Sequence, residues 1–355
     1  MIKAHPYLEE KQLMKKLYTS IGITLASILA VTTFSNGDVT FAQEDSETVT
    51  IENNFIITPP RGTEGDSTEN LETVEITKNP ENVIIFDLGL ASTFIELGIE
   101  DKIAGLPKGE NNSSLSEDLE VFTDDEYQNL GGLFEPNYEL IAAINPELII
   151  ISGRQSSTDI ISELESAAPN AEIINIAADP VSYIEDIKES TLILGELFEV
   201  EDKAEELVAD LETRVETINE AIDALETSIL FVQTNGGDLA LHGEGGRYGF
   251  LFEELNFEIA GEQSEENTAD HGNQITFEFI AEANPGLIFV MDRGAATATT
   301  DTTNVDVLIN SVTESVDAVA NDNIYEVSPV SWYLNAGGYG TLMTQLDEIE
   351  EAIAQ

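Results

Sequence analysis

The sequence predicts an α/β protein of two similar lobes, each carrying a mostly parallel sheet, joined by one long helix. Three observations lead there. Residues 139–154 (ELIAAINPELIIISGR) lie over residues 278–293 (EFIAEANPGLIFVMDR) at a constant offset of 139, with eight of sixteen positions identical and no gap. Runs of continuous aliphatics alternate with amphipathic stretches, the pattern of a parallel sheet covered on both faces. Between the two copies runs one apolar stripe at helical spacing, through Ala204, Leu207, Val208, Leu211, Val215, Ile218, Ile222 and Leu225.

Each copy of the repeat reads as a short helix starting at Glu, an Asn-Pro break, a buried strand, and an Arg just past the strand's C-terminal end. Upstream, VIIFD followed by FIELGI matches SILFVQ followed by FEELNF, so both lobes open strand, helix, strand. The intervening helix would run for roughly 35 Å at 1.5 Å per residue, enough to brace both lobes and limit hinge motion. The predicted division is an export signal at 1–42, an acidic leader at 43–73, an N-terminal lobe at 74–200, a linking helix at 201–227 and a C-terminal lobe at 228–355.

The signal is read from Lys15 and Lys16, an apolar run from Leu17 to about Phe34, and the small residues of Thr40-Phe41-Ala42 before Gln43. Met14 is an alternative start to Met1, and a retained anchor is the alternative to cleavage. The leader is polar, with Pro59, Pro60 and Gly62 breaking regular structure, and reads as mobile around one short strand at residues 49–55.

With 69 acidic and 14 basic residues the formal charge is −55, which excludes nucleic acid as a partner and leaves anionic membrane surfaces poor ones. Such acidity reads as adaptation of an exported protein to salty surroundings. There are no cysteines, so disulfides, thiolate metal sites and Cys nucleophiles are absent.

Ligands of open parallel sheets collect beyond the carboxyl ends of the strands, so two facing lobes share one cleft. Beyond residue 80 the chain holds only four arginines. Arg214 lies on the linking helix as a solvated charge. Arg154, Arg247 and Arg293 stand at strand ends or in a glycine loop, two of them at equivalent repeat positions. Converging guanidiniums are planar, permanently charged donors suited to an oxygen-rich anion. No G-x-S-x-G elbow, P-loop or dinucleotide fingerprint is present, which argues against an enzyme such as a chelate-processing hydrolase. Two histidines after the signal, His242 and His271, are too few for a bare zinc or manganese cage. Haem, bound in an apolar slot by an axial Tyr or His, is a closer rival, as is cobalamin.

Residues 74–355 resemble the ABC substrate-binding proteins of the helical-backbone class (class III) that carry ferric siderophores, in particular the group handling petrobactin and related catecholates. The strings that carry the resemblance are GGLFEPNYELIAAINPELIIISGRQ, GGRYGFLFEEL, HGNQITFEFIAEANPGLIFVMDRG and SWYL. It implies a non-enzymatic carrier with no intrinsic cofactor, whose ligand is an anionic Fe3+ chelate cradled by Arg154, Arg247 and Arg293. It also implies that His271 and Tyr333 complete the iron shell when the chelator leaves positions open. Trp332, beside Tyr333, is expected to line the pocket. Glu139 and Glu278, equivalent under the repeat, match glutamates that related carriers present to arginines of an ABC permease. The protein is expected to be a monomer, exported to a periplasm or to the outer face of the cytoplasmic membrane. Gram-positive relatives carry a lipidated N-terminal Cys, which this chain lacks.

Overall fold

A computed structural model describes residues 47–262, 272–297 and 305–355; the expected export signal and His271 lie outside the described residues. Two ten-residue strands, β1 (Thr48–Ile57) and β2 (Thr68–Thr77), come first. The N-terminal lobe follows with β3 (Val83–Ile85), α1 (Leu88–Leu97), β4 (Ile103–Leu106), β5 (Gln128–Asn129), β6 (Gly131–Gly132), β7 (Glu135–Pro136), α2 (Tyr138–Ile144), β8 (Leu148–Ile150), α3 (Thr158–Ala167), β9 (Glu172–Ile174) and α4 (Tyr183–Leu197). Helix α5 (Glu201–Leu225) leads to β10 (Ser228–Asn235), β11 (Asp238–His242), α6 (Phe250–Glu253), β12 (Glu258–Ile259), β13 (Asn273–Gln274), α7 (Phe277–Ala283), β14 (Leu287–Asp292), α8 (Arg293–Thr297), α9 (Asp317–Ala320) and β15 (Ile324–Glu326). A π-type turn, Val330–Leu334, then precedes α10 (Tyr339–Ile353).

The N-terminal sheet runs β5-β4-β3-β8-β9 and is parallel throughout. The C-terminal sheet runs β13-β11-β10-β14-β15, parallel from β10 to β15 and antiparallel at β11 and β13. Continuous aliphatic strands are needed because alternate residues feed different cores. In β10, Ile229 and Phe231 join the central core while Leu230 and Val232 join a core on the sheet's other face. In β3 and β8, Val83, Ile85, Leu148 and Ile150 face the centre, with Ile84 and Ile149 facing away. The central core is shared by both lobes and by α5, whose Ala204, Leu207, Leu211, Ile218 and Ile222 are buried along it.

Two segments depart from the expected division. The leader is an ordered hairpin: β1 and β2 pair antiparallel over ten residues each, and the boundary expected at 73/74 falls inside β2. Only one face of this ribbon is buried, so β2 buries just Val74 and Ile76 among its alternating polar residues. That pattern hid the strand among acidic residues. Buried Asn53 stitches the hairpin to the N-terminal sheet, donating to the Ile173 carbonyl at 2.9 Å and accepting from the Asn175 N–H at 2.9 Å.

The second departure is at the end of the chain. Instead of finishing in the C-terminal lobe, the chain crosses back and lays α10 on α1, α4 and α5. The crossing needs glycine on both sides, since a Cβ on Gly338 would lie 1.7 Å from the Gly89 carbonyl oxygen. The Tyr339 N–H donates to Thr93 Oγ1 at 2.9 Å and the Gly337 N–H to the Tyr183 hydroxyl at 2.8 Å. On α5, Arg214 clamps α10 through Asp347 and Glu350, so it is an ion-paired brace instead of a solvated charge. Among the described residues, no helix is long and apolar enough to cross a membrane.

Candidate functional site: an arginine-lined cleft

The carboxyl ends of both sheets open on one cavity of about 1140 Å3 between the lobes. Arg154, Arg247, Arg293 and Tyr333 all line it. The three guanidiniums gather around Tyr333, Arg154 and Arg247 from separate loops and Arg293 from the start of α8.

Arg154 sits in the loop after β8, whose turn is closed by Ser152 donating from its N–H (3.2 Å) and hydroxyl (2.9 Å) to Gln155 Oε1. Its guanidinium crosses to the Val330–Leu334 turn, donating from Nη2 to the Tyr333 carbonyl at 2.8 Å and from Nη1 to the Leu334 carbonyl at 3.1 Å. Burial, with the charge of Arg247 nearby, lowers its pKa, and Asp87 opposes this. A guanidinium stays charged through such shifts. Asp87 caps α1 by accepting from the Leu90 N–H at 3.0 Å, and burial raises its carboxyl to about 6 against the pull of that bond and of Arg154.

Arg247, in the glycine loop before α6, lies 4.9 Å from the centre of the Tyr333 ring. Arg293, at the start of α8, lies 5.4 Å from it and donates from Nε to the Tyr333 hydroxyl at 2.8 Å. The π-type turn gives Tyr333 and Trp332 opposite fates. Neighbouring side chains in a helical turn point in different directions, so Tyr333 faces the cleft while Trp332 faces the core. Trp332 is fully buried, packed on Phe231 with ring centroids 5.3 Å apart and donating from Nε1 to Glu348. The expectation that Trp332 lines the pocket is therefore corrected. His242 is also buried, its Nε2 3.2 Å from Gln233 Oε1 and its ring edge-on to Tyr248.

Among the described residues, no group of three or more His, Cys, Asp or Glu is placed to hold a metal. Among the described residues most cations outside the cleft are ion-paired, the exception being buried Lys108, which donates from Nζ to the Asp124 carbonyl at 2.7 Å. Lys78, Lys102, Lys188, Lys203 and Arg214 each hold a carboxylate within 4.0 Å. Among the described residues, Arg154 and Arg293 hold no carboxylate in an ion pair; their hydrogen bonds go to carbonyls and a phenol. A guanidinium without a carboxylate partner keeps its full positive charge at the cleft wall.

Glu139 and Glu278 are each the second residue of a seven-residue helix, exposed and outside the cavity lining. Asn137 and Thr276 cap these helices, and each ends in a left-handed Asn, Asn145 (φ 51°) and Asn284 (φ 46°). Hydrogen bonds from its own N–H and the Thr276 hydroxyl hold Glu278 below the usual carboxylate range.

Sequence reading missed Arg61. It stands at the tip of the β1–β2 hairpin, lines the same cavity, and lies 4.2 Å from the centre of the Phe134 ring. Four of the chain's five arginines thus border the cleft. Counting arginines over the whole chain, instead of only beyond residue 80, was the available signal.

Two α/β lobes joined by a long helix, with a ligand-sized cleft between them, define a helical-backbone solute-binding protein. The chain belongs to the periplasmic binding protein family, whose sequence pattern matches residues 83–330. It is similar to the petrobactin-binding protein YclQ of Bacillus subtilis, 31% identical over 279 residues that cover 79% of this chain and 84% of that one. The ferric-anguibactin-binding protein FatB of Vibrio anguillarum is 26% identical over 282 residues, 79% of this chain and 84% of that one. The crystal structure of YclQ superposes with a TM-score of 0.76 at 27% identity, covering 87% of this chain and 99% of that one.

Proposed function

We propose that this protein is the extracytoplasmic solute-binding protein of an ABC importer, capturing an anionic ferric siderophore of catecholate, petrobactin-like chemistry between its lobes and passing it to the permease without transforming it. The observation that carries this reading is the convergence of Arg154, Arg247 and Arg293 on one tyrosine in a cleft of a chain whose net charge is −55. A cavity of about 1140 Å3 is at the upper end of ligand pockets, roomy enough for a bulky chelate. The names of the relatives support iron chelates as the ligand class.

Tyr333 takes part in one of two ways. With a chelator that fills the iron shell, its ring packs beneath the ligand and its hydroxyl stays with Arg293. With a chelator that leaves positions open, the phenol oxygen gives up that bond and ligates iron, joined by His271. Glu139 and Glu278, one exposed on each lobe at matching sites, are proposed as the contacts for a two-fold permease.

Titration of Trp332 fluorescence tests the reading. The indole is buried next to Tyr333, so an absorbing ferric catecholate in the cleft quenches it. Quenching at far lower concentration by the ferric chelate than by the iron-free siderophore is expected, because the guanidiniums answer charge gathered on the iron-bound oxygens. Equal affinity for the two forms, or tighter binding of haem, overturns the proposal.

A further inference from the structure

Arg61 is the one cleft arginine supplied by the N-terminal hairpin. Its turn is fixed: the Thr63 N–H donates to the Pro60 carbonyl at 3.0 Å, and the Thr63 hydroxyl bonds the same oxygen at 2.6 Å. The strand end behind it is sewn to the wall that carries Arg154, with the Thr58 N–H donating to the Ser156 carbonyl at 3.0 Å and the Thr158 N–H to the Thr58 carbonyl at 3.0 Å. Pro59 and Pro60 stiffen the short link between. Phe134 comes from a separate element, the tip between β6 and β7, and is 45% exposed. Both side chains line the cavity.

Arg61 has 69 acidic residues in its own chain to choose from, yet it forms no ion pair with any described carboxylate and stacks on Phe134. A half-exposed aromatic ring with a guanidinium over one face leaves the guanidinium's other face and its N–H edge for whatever fills the cavity. That surface suits a flat, electron-rich ring bearing oxygens: the ring stacks on the guanidinium plane, and its oxygens accept from the N–H edge. A compact carboxylate chelate has no such ring to offer.

From this we infer that Arg61 and Phe134 form an outer subsite at the cleft wall that holds an aromatic arm of the iron chelate, separate from the arginines around Tyr333 that answer its central charge. This rests on the proposed function, and it assigns to the N-terminal hairpin a selective role among iron chelates. Arms of catecholate type engage the subsite; aliphatic ferric carboxylates of the same charge do not.

The experiment compares two probes, a synthetic ferric tris-catecholate and ferric citrate, on four variants. Arg61→Ala and Phe134→Leu are each expected to weaken the tris-catecholate about ten-fold, between the sizes of an exposed and a desolvated cation–π contact, and to leave ferric citrate within about two-fold. Arg61→Lys, which keeps the charge and loses the plane, is expected to behave like Arg61→Ala. Arg247→Ala serves as the control for the central site. If Arg247→Ala weakens the tris-catecholate while Arg61→Ala and Phe134→Leu leave it unchanged, the subsite is refuted and the siderophore reading stands. If Arg247→Ala has no effect either, the siderophore reading itself falls. Full recovery by Arg61→Lys, or equal losses with both probes, reduces Arg61 to a general positive charge and overturns the aromatic-arm assignment. Arg61 is exposed in a turn, so unchanged thermal melting of its variants confirms that the losses are local.

Discussion

Arg154 and Arg293 occupy the same position of the repeat, four residues past the end of β8 and one past the end of β14, and the two lobes use them differently. In the N-terminal lobe the strand gives way to a tight loop, and Arg154 spends two donors on the carbonyls of Tyr333 and Leu334. In the C-terminal lobe α8 begins at once, capped by Asp292 Oδ1, which accepts from Gly294 (2.8 Å) and Ala295 (3.2 Å), and Arg293 bonds a phenol hydroxyl. Backbone carbonyls cannot leave; a tyrosine hydroxyl can. The duplicated position has thus become one arginine that positions the cleft and one whose partner is exchangeable.

The strongest challenge to this comparison is Arg154→Ala. Losing two bonds from a charged donor at the lobe junction is expected to lower unfolding free energy by about 3 kcal/mol and to weaken chelate binding at least about 100-fold. Urea melts and fluorescence titration measure the two effects, and a variant as stable as wild type would make Arg154 no different from its partner. Arg293→Ala comes next, with binding weaker by about 2 kcal/mol, roughly thirty-fold, and an unchanged melting midpoint. A large stability loss there would erase the distinction.

Asp87 belongs to the N-terminal lobe alone, and its effect is smaller and pH-dependent. Its carboxyl titrates at about 6 in the folded protein, above the ordinary carboxylate value, so it is neutral below that pH and negative above it. Asp87→Asn keeps an acceptor for the cap and removes the negative charge beside Arg154. Tighter binding of an anionic chelate by about 1 kcal/mol, roughly five-fold, is expected at pH 8, with no difference at pH 5. The same gain at both pH values would mean that Asp87 is not titrating in this range. The smallest expected effect on affinity is that of Glu139→Ala with Glu278→Ala, which lie off the cavity: binding stays within error while uptake through the importer falls. Normal uptake by the double variant at native expression would remove the docking role.

Most of the architecture was legible because the repeat and the linking helix are written in apolar spacing. Strands β3, β8, β10 and β14 are buried on both faces, so nearly every residue in them is informative, and Arg154 and Arg293 lie just beyond β8 and β14. The β1–β2 hairpin was legible only in half, since a ribbon buried on one face spends every second residue on water and β2 shows only Val74 and Ile76 to the core. Trp332 was misplaced because no spacing rule says which of two neighbouring aromatics in an irregular turn faces inward. The return of α10 to the N-terminal lobe had one cue, the pair Gly337-Gly338, which marks a close backbone crossing without saying over what.

That crossing gives Tyr333 a second role. The tyrosine around which the guanidiniums gather lies five residues before Gly338, where the chain threads over Gly89 and becomes a helix of the opposite lobe. It is therefore held at both ends, by the sheet behind it and by α10 ahead of it. Whatever fills the cavity beside Tyr333 meets main chain anchored in both lobes, not a free flap.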